Sequence, residues 1–221
     1  MSAILFGSIS TVADTSELQR EAFNQSFEVH GLDWIWDRDD YRNMLSNSGG
    51  ASRISQYADS VGQTVDAHAI HATKSEIFRD LMAAAELSPR AGVVDTIRRA
   101  KDADWKVGLV TTTSGDNVLS LLAALSPEIA LGDFDVIVNS SSVEQPKPDK
   151  AAYSFALLHL TEEARDCVAI EDNTDGVQAA VAAGLACVAF PNENTSAHDF
   201  AAAVTRVEKL DAQDLQQFAG Q

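Results

Sequence analysis

The chain reads as a doubly wound α/β protein, a parallel sheet with helices on both faces, carrying a helical segment inserted after its first strand. Three observations predict this. Short apolar runs alternate with helical patterns through the C-terminal part of the chain, which implies parallel pairing. One further apolar run stands alone near the N-terminus. Between that run and the next lies a long stretch with helical spacing and no convincing strand.

Taken in order, the first run covers residues 3–6, and a Gly-Ser-Ile-Ser-Thr turn follows it. From about residue 15 to 86 the pattern is helical. Asp14, three residues before Glu17, predicts a capping box, and Leu18, Ala22, Phe23, Ser26 and Phe27 continue the apolar face. This region holds Trp34 and Trp36, expected to pack within it, and the Gly49-Gly50 pair. The remaining strands are expected at 107–110, 136–138, 167–170 and 187–190. Val118, Leu121, Leu122 and Leu125 form one helical stripe, and Ala152, Phe155, Ala156 and His159 repeat the spacing. A third helix runs from an Asn173 or Thr174 cap to Gly184, a residue suited to the left-handed turn after a helix. The domains expected are a core of residues 1–15 and 87–221 and a helical cap of residues 16–86.

Acidic residues outnumber basic ones 33 to 16, for a formal charge of −17. Such a field repels nucleic acid and anionic membranes, so neither is an expected partner. An anionic ligand therefore needs a local positive pocket. Cys167 and Cys187 sit in apolar runs without metal-ligand spacing and read as buried, reduced thiols. No apolar stretch is long enough to span a membrane, and the opening residues lack the basic region of a signal peptide, so a cytoplasmic location is expected.

In an open parallel sheet, ligands bind beyond the carboxyl ends of the strands. There the sequence offers Thr111-Thr112-Thr113-Ser114, Asn139 to Ser142, Lys147-Pro148-Asp149, Glu171-Asp172-Asn173 and Asn192-Glu193-Asn194. Hydroxyl donors at a helix N-terminus, a lysine and a carboxylate pair could together hold a phosphate and a divalent cation. The first strand alone ends without a charge.

With these motifs in this order, the chain resembles the haloacid dehalogenase superfamily. The family's first motif, Phe-Asp-x-Asp-Gly-Thr, lies under Phe6-Gly7-Ser8-Ile9-Ser10-Thr11; the others correspond to Thr111, to Lys147-Pro148, and to Glu171-Asp172-Asn173 followed by Gly176. Ala22-Phe23-Asn24, the segment from Gly31 to Arg38, and Gly49-Gly50 are similar to the cap of the CbbY-type, β-phosphoglucomutase-like sugar-phosphate phosphatases. That resemblance implies a phosphorylated sugar as ligand, with a protein partner as the other option.

The family's first-motif aspartates serve as nucleophile and as general acid/base. Here those positions are Gly7 and Ile9, neither of which can attack phosphorus or carry a proton. Ser10 stands for the usual glycine, Gln19 for a cap histidine, and Ala51 for a lysine. The resemblance implies that Thr111, Thr112 and Lys147 contact phosphate, and that Arg53 anchors the distal phosphate of a bisphosphate. The bland alternatives are that Thr111 caps the following helix and that Lys147 and Arg53 are solvated. Asp172, Glu171 and the Ile9 carbonyl are the expected Mg²⁺ ligands, with binding weak or absent; the alternative is acidity placed at a helix N-terminus. Ser8 and Ser10 are the nearby nucleophile candidates, without an evident base. The five histidines show no metal spacing.

Overall fold

A computed structural model describes residues 2–45 and 49–219. Its sheet has six parallel strands in the order β3-β2-β1-β4-β5-β6: β1 (Ala3–Phe6), β2 (Lys106–Val110), β3 (Val136–Val138), β4 (Cys167–Glu171), β5 (Ala186–Ala189) and β6 (Thr205–Arg206). The order reverses at β1, whose neighbours are β2 and β4. At such a reversal, loops leave the sheet in opposite directions and open a crevice at the carboxyl ends.

Side chains alternate between the sheet's two faces, which splits the core in two. Ile4, Phe6, Leu109, Ile170 and Val188 join α6 (Val93–Asp102) and α7 (Gly115–Leu125) on one face. Ala3, Leu5, Ala169, Cys187 and Ala189 join α8 (Ala151–Leu160) and α9 (Thr174–Ala182) on the other. Both cysteines are buried free thiols, and burial pushes the Cys167 thiol up to about 12.

Between β1 and β2 lie α1 (Ile9–Val12), α2 (Ser16–Val29), α3 (Arg38–Met44), α4 (Gly50–Ser60) and α5 (Ala67–Ala84). A third apolar cluster belongs to this segment alone: Phe23, Phe27, Trp34, Trp36, Tyr41, Ile54, Ala58 and Ile70. Its aromatic rings pack edge-on and tilted, with Phe27 and Trp36 centroids 4.7 Å apart. Ala22, Phe78 and Met82, at the base of α2 and α5, join the sheet's cluster instead. Among the described residues, no helix is long and apolar enough to cross a membrane.

Several local expectations change. The turn after Phe6 is the short helix α1, because Ser8 and Thr11 form a reciprocal cap: Ser8 Oγ accepts from Thr11 N, and Thr11 Oγ1 accepts from Ser8 N. The Asp14–Glu17 capping box is absent. Asp14 Oδ1 instead accepts from Ser16 N and Oγ, while Glu17 turns to Arg20 and Asn194. On α8 the buried face is Ala152, Tyr153, Ala156 and Leu160; His159 is exposed and stacks on Phe155. The fifth strand begins and ends one residue earlier than expected. The two-residue β6 and the helices α6 and α10 (Ala212–Gln216) lie outside the elements expected from the sequence.

Candidate active site

The crevice at the end of β1 is where the expected site residues gather. Their geometry is that of a closed internal network. Lys147 is 5% exposed. Its Nζ donates to the Gly7 carbonyl, to Val110 O at 2.7 Å and to Glu171 Oε1 at 2.6 Å. An ammonium has three N–H donors, so every one of them already has a protein acceptor. Lys147 is neither solvated nor available to a phosphate in this arrangement.

Glu171, the last residue of β4, is fully buried, and Tyr153 Oη donates to the same Oε1 at 2.6 Å. Its carboxyl group fills the volume a side chain at position 7 would need. A Cβ placed on Gly7 would stand 2.1 Å from Glu171 Cδ and 2.5 Å from Tyr153 Oη; one on Gly176 would stand 2.2 Å from Cδ. Two glycines thus enclose one carboxylate. Glu171 Oε2 is buried without a hydrogen-bond partner among the described residues. Burial raises the Glu171 pKa, with the Lys147 ammonium pulling the other way. Burial and the adjoining Glu171 also push the Tyr153 phenol well above its ordinary value.

Asp172 points toward the crevice from the next residue. Oδ1 accepts from Ser8 Oγ at 2.8 Å and Asn173 Nδ2 at 3.0 Å, and Oδ2 accepts from Asn192 Nδ2 at 2.9 Å. The Ile9 carbonyl accepts from Ala13 N inside the α1 turn, and the Ile9 side chain lies in the apolar cluster of the sheet. Mg²⁺ demands hard oxygen ligands in octahedral array. Gly7 supplies no carboxylate, Glu171 is folded beneath the loop, and Asp172 and Ile9 O already accept hydrogen bonds. These residues do not fit the ion. Among the described residues, no three His, Cys, Asp or Glu side chains converge on a common point.

The other expected contacts divide. Thr111 is buried at the end of β2, where its Oγ1 accepts from Thr113 N at 3.2 Å. It does not cap the following helix; Ser114 Oγ does, accepting from Asn117 N. Thr112 is half-buried beside it. Arg53 sits apart from these, on α4. It is not a solvated side chain: Nε donates to Met44 O at 2.9 Å, and the guanidinium lies 5.8 Å from both the Phe23 and Tyr41 ring centres. Burial lowers its pKa, with Tyr41 and Asp175 acting in the opposite sense.

Two residues, Lys74 and Arg90, escape the sequence reading, and a third, Ser8, gains a partner. Lys74 on α5 is 4% exposed, with Nζ 3.1 Å from Gln19 Oε1. Its signal was available: Ile70, Lys74, Phe78 and Met82 form one buried file at a spacing of four, and a lysine there is out of place. Arg90, between α5 and α6, stacks 3.5 Å from the centre of Phe190 and donates to the carbonyls of Ser10, Phe190 and Pro191. Only the fold could reveal that role. Ser8 has a carboxylate partner in Asp172, which the sequence did not make evident.

A family model for haloacid dehalogenase-like hydrolases matches residues 7–190. The chain is 39% identical to protein CbbY of Cereibacter sphaeroides over 204 residues, 91% of this chain and 89% of that one. Its fold is similar to the crystal structure of CbbY from Rhodobacter sphaeroides in complex with phosphate. That match has a TM-score of 0.87 and 37% identity, covering 95% of this chain and 94% of that one. A mutant of the latter protein in complex with xylulose-1,5-bisphosphate matches equally well.

Proposed function

The chain belongs to the haloacid dehalogenase-like hydrolase family, and on that premise we propose that it is a CbbY-like phosphatase homologue that binds a small phosphorylated sugar and has lost, or nearly lost, phosphoryl hydrolysis. The core would span residues 1–15 and 87–221 and the cap residues 16–86. The observation that carries the reading is the Glu171 carboxyl group in the space beside Gly7. The nucleophile is missing there, and a neighbouring side chain has closed the gap. Lys147, the cation of the core, is bound to that same carboxyl group. Support for the ligand class comes from the structural relatives, whose crystals hold phosphate and a pentulose bisphosphate. Mg²⁺ would bind weakly or not at all.

Phosphate monoester hydrolysis is among the slowest uncatalysed reactions, and enzymes supply up to ~10²¹-fold acceleration. Binding and electrostatics without the catalytic unit leave roughly 10³–10⁴-fold. The purified chain should show no turnover of xylulose-1,5-bisphosphate above background with Mg²⁺ present. Sustained turnover of about 1 s⁻¹ or more, the ordinary enzymatic range, would overturn the reading.

One contact favours a second reading, a working phosphohydrolase with a recruited nucleophile. Ser8 Oγ donates to Asp172 Oδ1, and Asn192 orients that carboxylate from its other oxygen, which is a nucleophile, base and orienting group in sequence. Against it, Ser8 Oγ also accepts from Thr11 N as a helix cap, and Lys147 has no donor left for the phosphoryl oxygens. Activity abolished by Ser8→Ala in a chain that still folds would establish this reading.

A further inference from the structure

We infer that helix α8 is the self-association surface of this chain, laid antiparallel against α8 of a second copy about a two-fold axis. The inference stands apart from the catalytic reading and begins with the residues of the helix. Ala151–Leu160 contains no Asp, Glu, Lys or Arg, in a chain that carries 33 acidic and 16 basic residues. Every other described helix of ten residues or more carries at least one of them. The inner face of α8, formed by Ala152, Tyr153, Ala156 and Leu160, is buried in the core on one side of the sheet. A second apolar stripe, Ala151, Phe155 and Leu158, recurs at helical spacing on the opposite side. Leu158 is 75% exposed, and the His159 ring stacks on Phe155 with centroids 3.9 Å apart, which widens the stripe. On the same side of the sheet α9 exposes Val181, and its residues include one carboxylate, Asp175. A helix apolar on all sides is a buried helix, and in the single chain one side of α8 has no cover.

Charge selects the occupant. The chain carries a net charge of −17, so two copies meeting across a charged face would set carboxylates against carboxylates. Across α8 they meet on a stripe that has none. The flanks then select the direction. Lys150 stands at the start of the helix, is exposed, and has no ion pair among the described residues. Its neighbour Asp149 is turned back onto the Ala151 amide. Past the other end, residues 162–166 carry Glu162, Glu163 and Asp166 against Arg165 alone, and the Glu163 side chain is 68% exposed. Ten residues of α-helix span about 15 Å. Antiparallel pairing about the middle of the stripe therefore sets Lys150 of each copy beside Glu163 of the other, twice in one dimer. Parallel pairing would set Lys150 against Lys150.

One helix and the edge of α9 make a small interface, below the roughly 1,200 Å² of a standard one, so the dimer is a weak one with a Kd on the order of 10–100 µM.

Sedimentation equilibrium on the full chain, from about 1 to 500 µM in about 0.15 M NaCl, tests this. The chain should pass from monomer to dimer over that range. Leu158→Lys should raise the Kd by roughly ten-fold or more. Because the added lysine lowers the net charge, such a loss is not new repulsion. Leu158 faces solvent, so the variant should fold as the parent does. Ile35→Lys, at an equally exposed residue in the segment between β1 and β2, should leave the Kd unchanged. Lys150→Glu and Glu163→Lys should each weaken the dimer by about three-fold or more. An equimolar mixture of those two should restore it, since every Lys150–Glu163 contact then pairs opposite charges again. A chain that stays monomeric at about 500 µM, or a dimer indifferent to Leu158→Lys, overturns the assignment. Charge variants that leave the dimer unchanged, or fail to restore one another, overturn the antiparallel pairing.

Discussion

Two lysines of this chain are buried almost equally, Lys147 beneath the sheet's carboxyl edge and Lys74 on α5 in the helical segment between β1 and β2. Their surroundings differ in kind. Lys147 closes on two carbonyls and a carboxylate; Lys74 meets one amide, two ring faces and a neighbouring cation. A buried charge whose donors all end on the protein is a structural element. A buried charge with donors to spare, and no ion-pair partner among the described residues, is costly by itself. One lysine has all three donors on protein acceptors, and the other donates to a single amide.

The difference can be broken first at the core, where the expected effect is largest. Lys147→Met leaves the Glu171 carboxyl buried with Tyr153 alone. Removing one partner of a buried pair costs about 3–5 kcal/mol, whereas replacing both can be nearly neutral. Urea denaturation should therefore show the single variant strongly destabilised and Lys147→Met, Glu171→Gln recovering a large part of the loss. A single variant within about 1 kcal/mol of the parent would mean that the network is not what holds the loop.

At the cap the same substitution should act in the opposite direction. Lys74→Met replaces a desolvated ammonium by an apolar side chain of similar shape, a change that stabilises by about 1–4 kcal/mol in buried sites. The pH dependence fixes the sign. Lys74 titrates near 7 in the folded chain and near 10.4 when unfolded. Between these values the unfolded state binds the extra proton, so stability rises with pH by up to about 1.4 kcal/mol per unit. Below about 7 the penalty is complete and flat. The advantage of Lys74→Met should accordingly be greatest at pH 7 and below and shrink toward pH 10. An advantage that grows with pH would place a counter-ion beside Lys74 and erase the contrast with Lys147.

How much of this was legible in the sequence also divides along the line between sheet and crevice. The central strands were readable because a strand buried on both faces must be continuously apolar, as Ile4, Leu5 and Phe6 are. Strand β6 was not, since two residues, Thr205 half-buried and Arg206 exposed, carry no period. Gly7 and Ile9 were visible as lost carboxylates, because that is a statement about side-chain chemistry. What replaced them was not visible. Glu171 reaches the Gly7 space only when β1 and β4 lie side by side, a pairing set by the fold. For the same reason a restored aspartate at position 7 requires Glu171 to leave its seat. Lys74 was hidden differently: its file was readable, but the identity of its neighbour Arg53 depends on how α4 packs on α5.

The smallest expected effect lies at the seam that joins the two regions. Glu193, in the loop after β5, receives Arg38 at 2.9 Å and Arg42 at 3.6 Å from α3, and Arg42 Nε also donates to Asn194 Oδ1. Asn194 in turn donates to Glu17 on α2 at 2.7 Å. The Glu193 side chain is 58% exposed, so solvent screens these pairs, and exposed ion pairs contribute about 0–1 kcal/mol. Glu193→Gln should therefore cost less than about 1 kcal/mol at low salt, and the difference should vanish near 1 M NaCl, where the Debye length is about 3 Å. Asn194, deeper in the same loop and buried, should retain its bond to Glu17 in that variant. Neither Lys74 nor Lys147 donates across this seam, so Glu193→Gln leaves the hydrogen bonds of both lysines in place. A loss above about 2 kcal/mol that persists in high salt would show the opposite: the seam would then be a buried polar joint rather than a set of solvent-screened pairs.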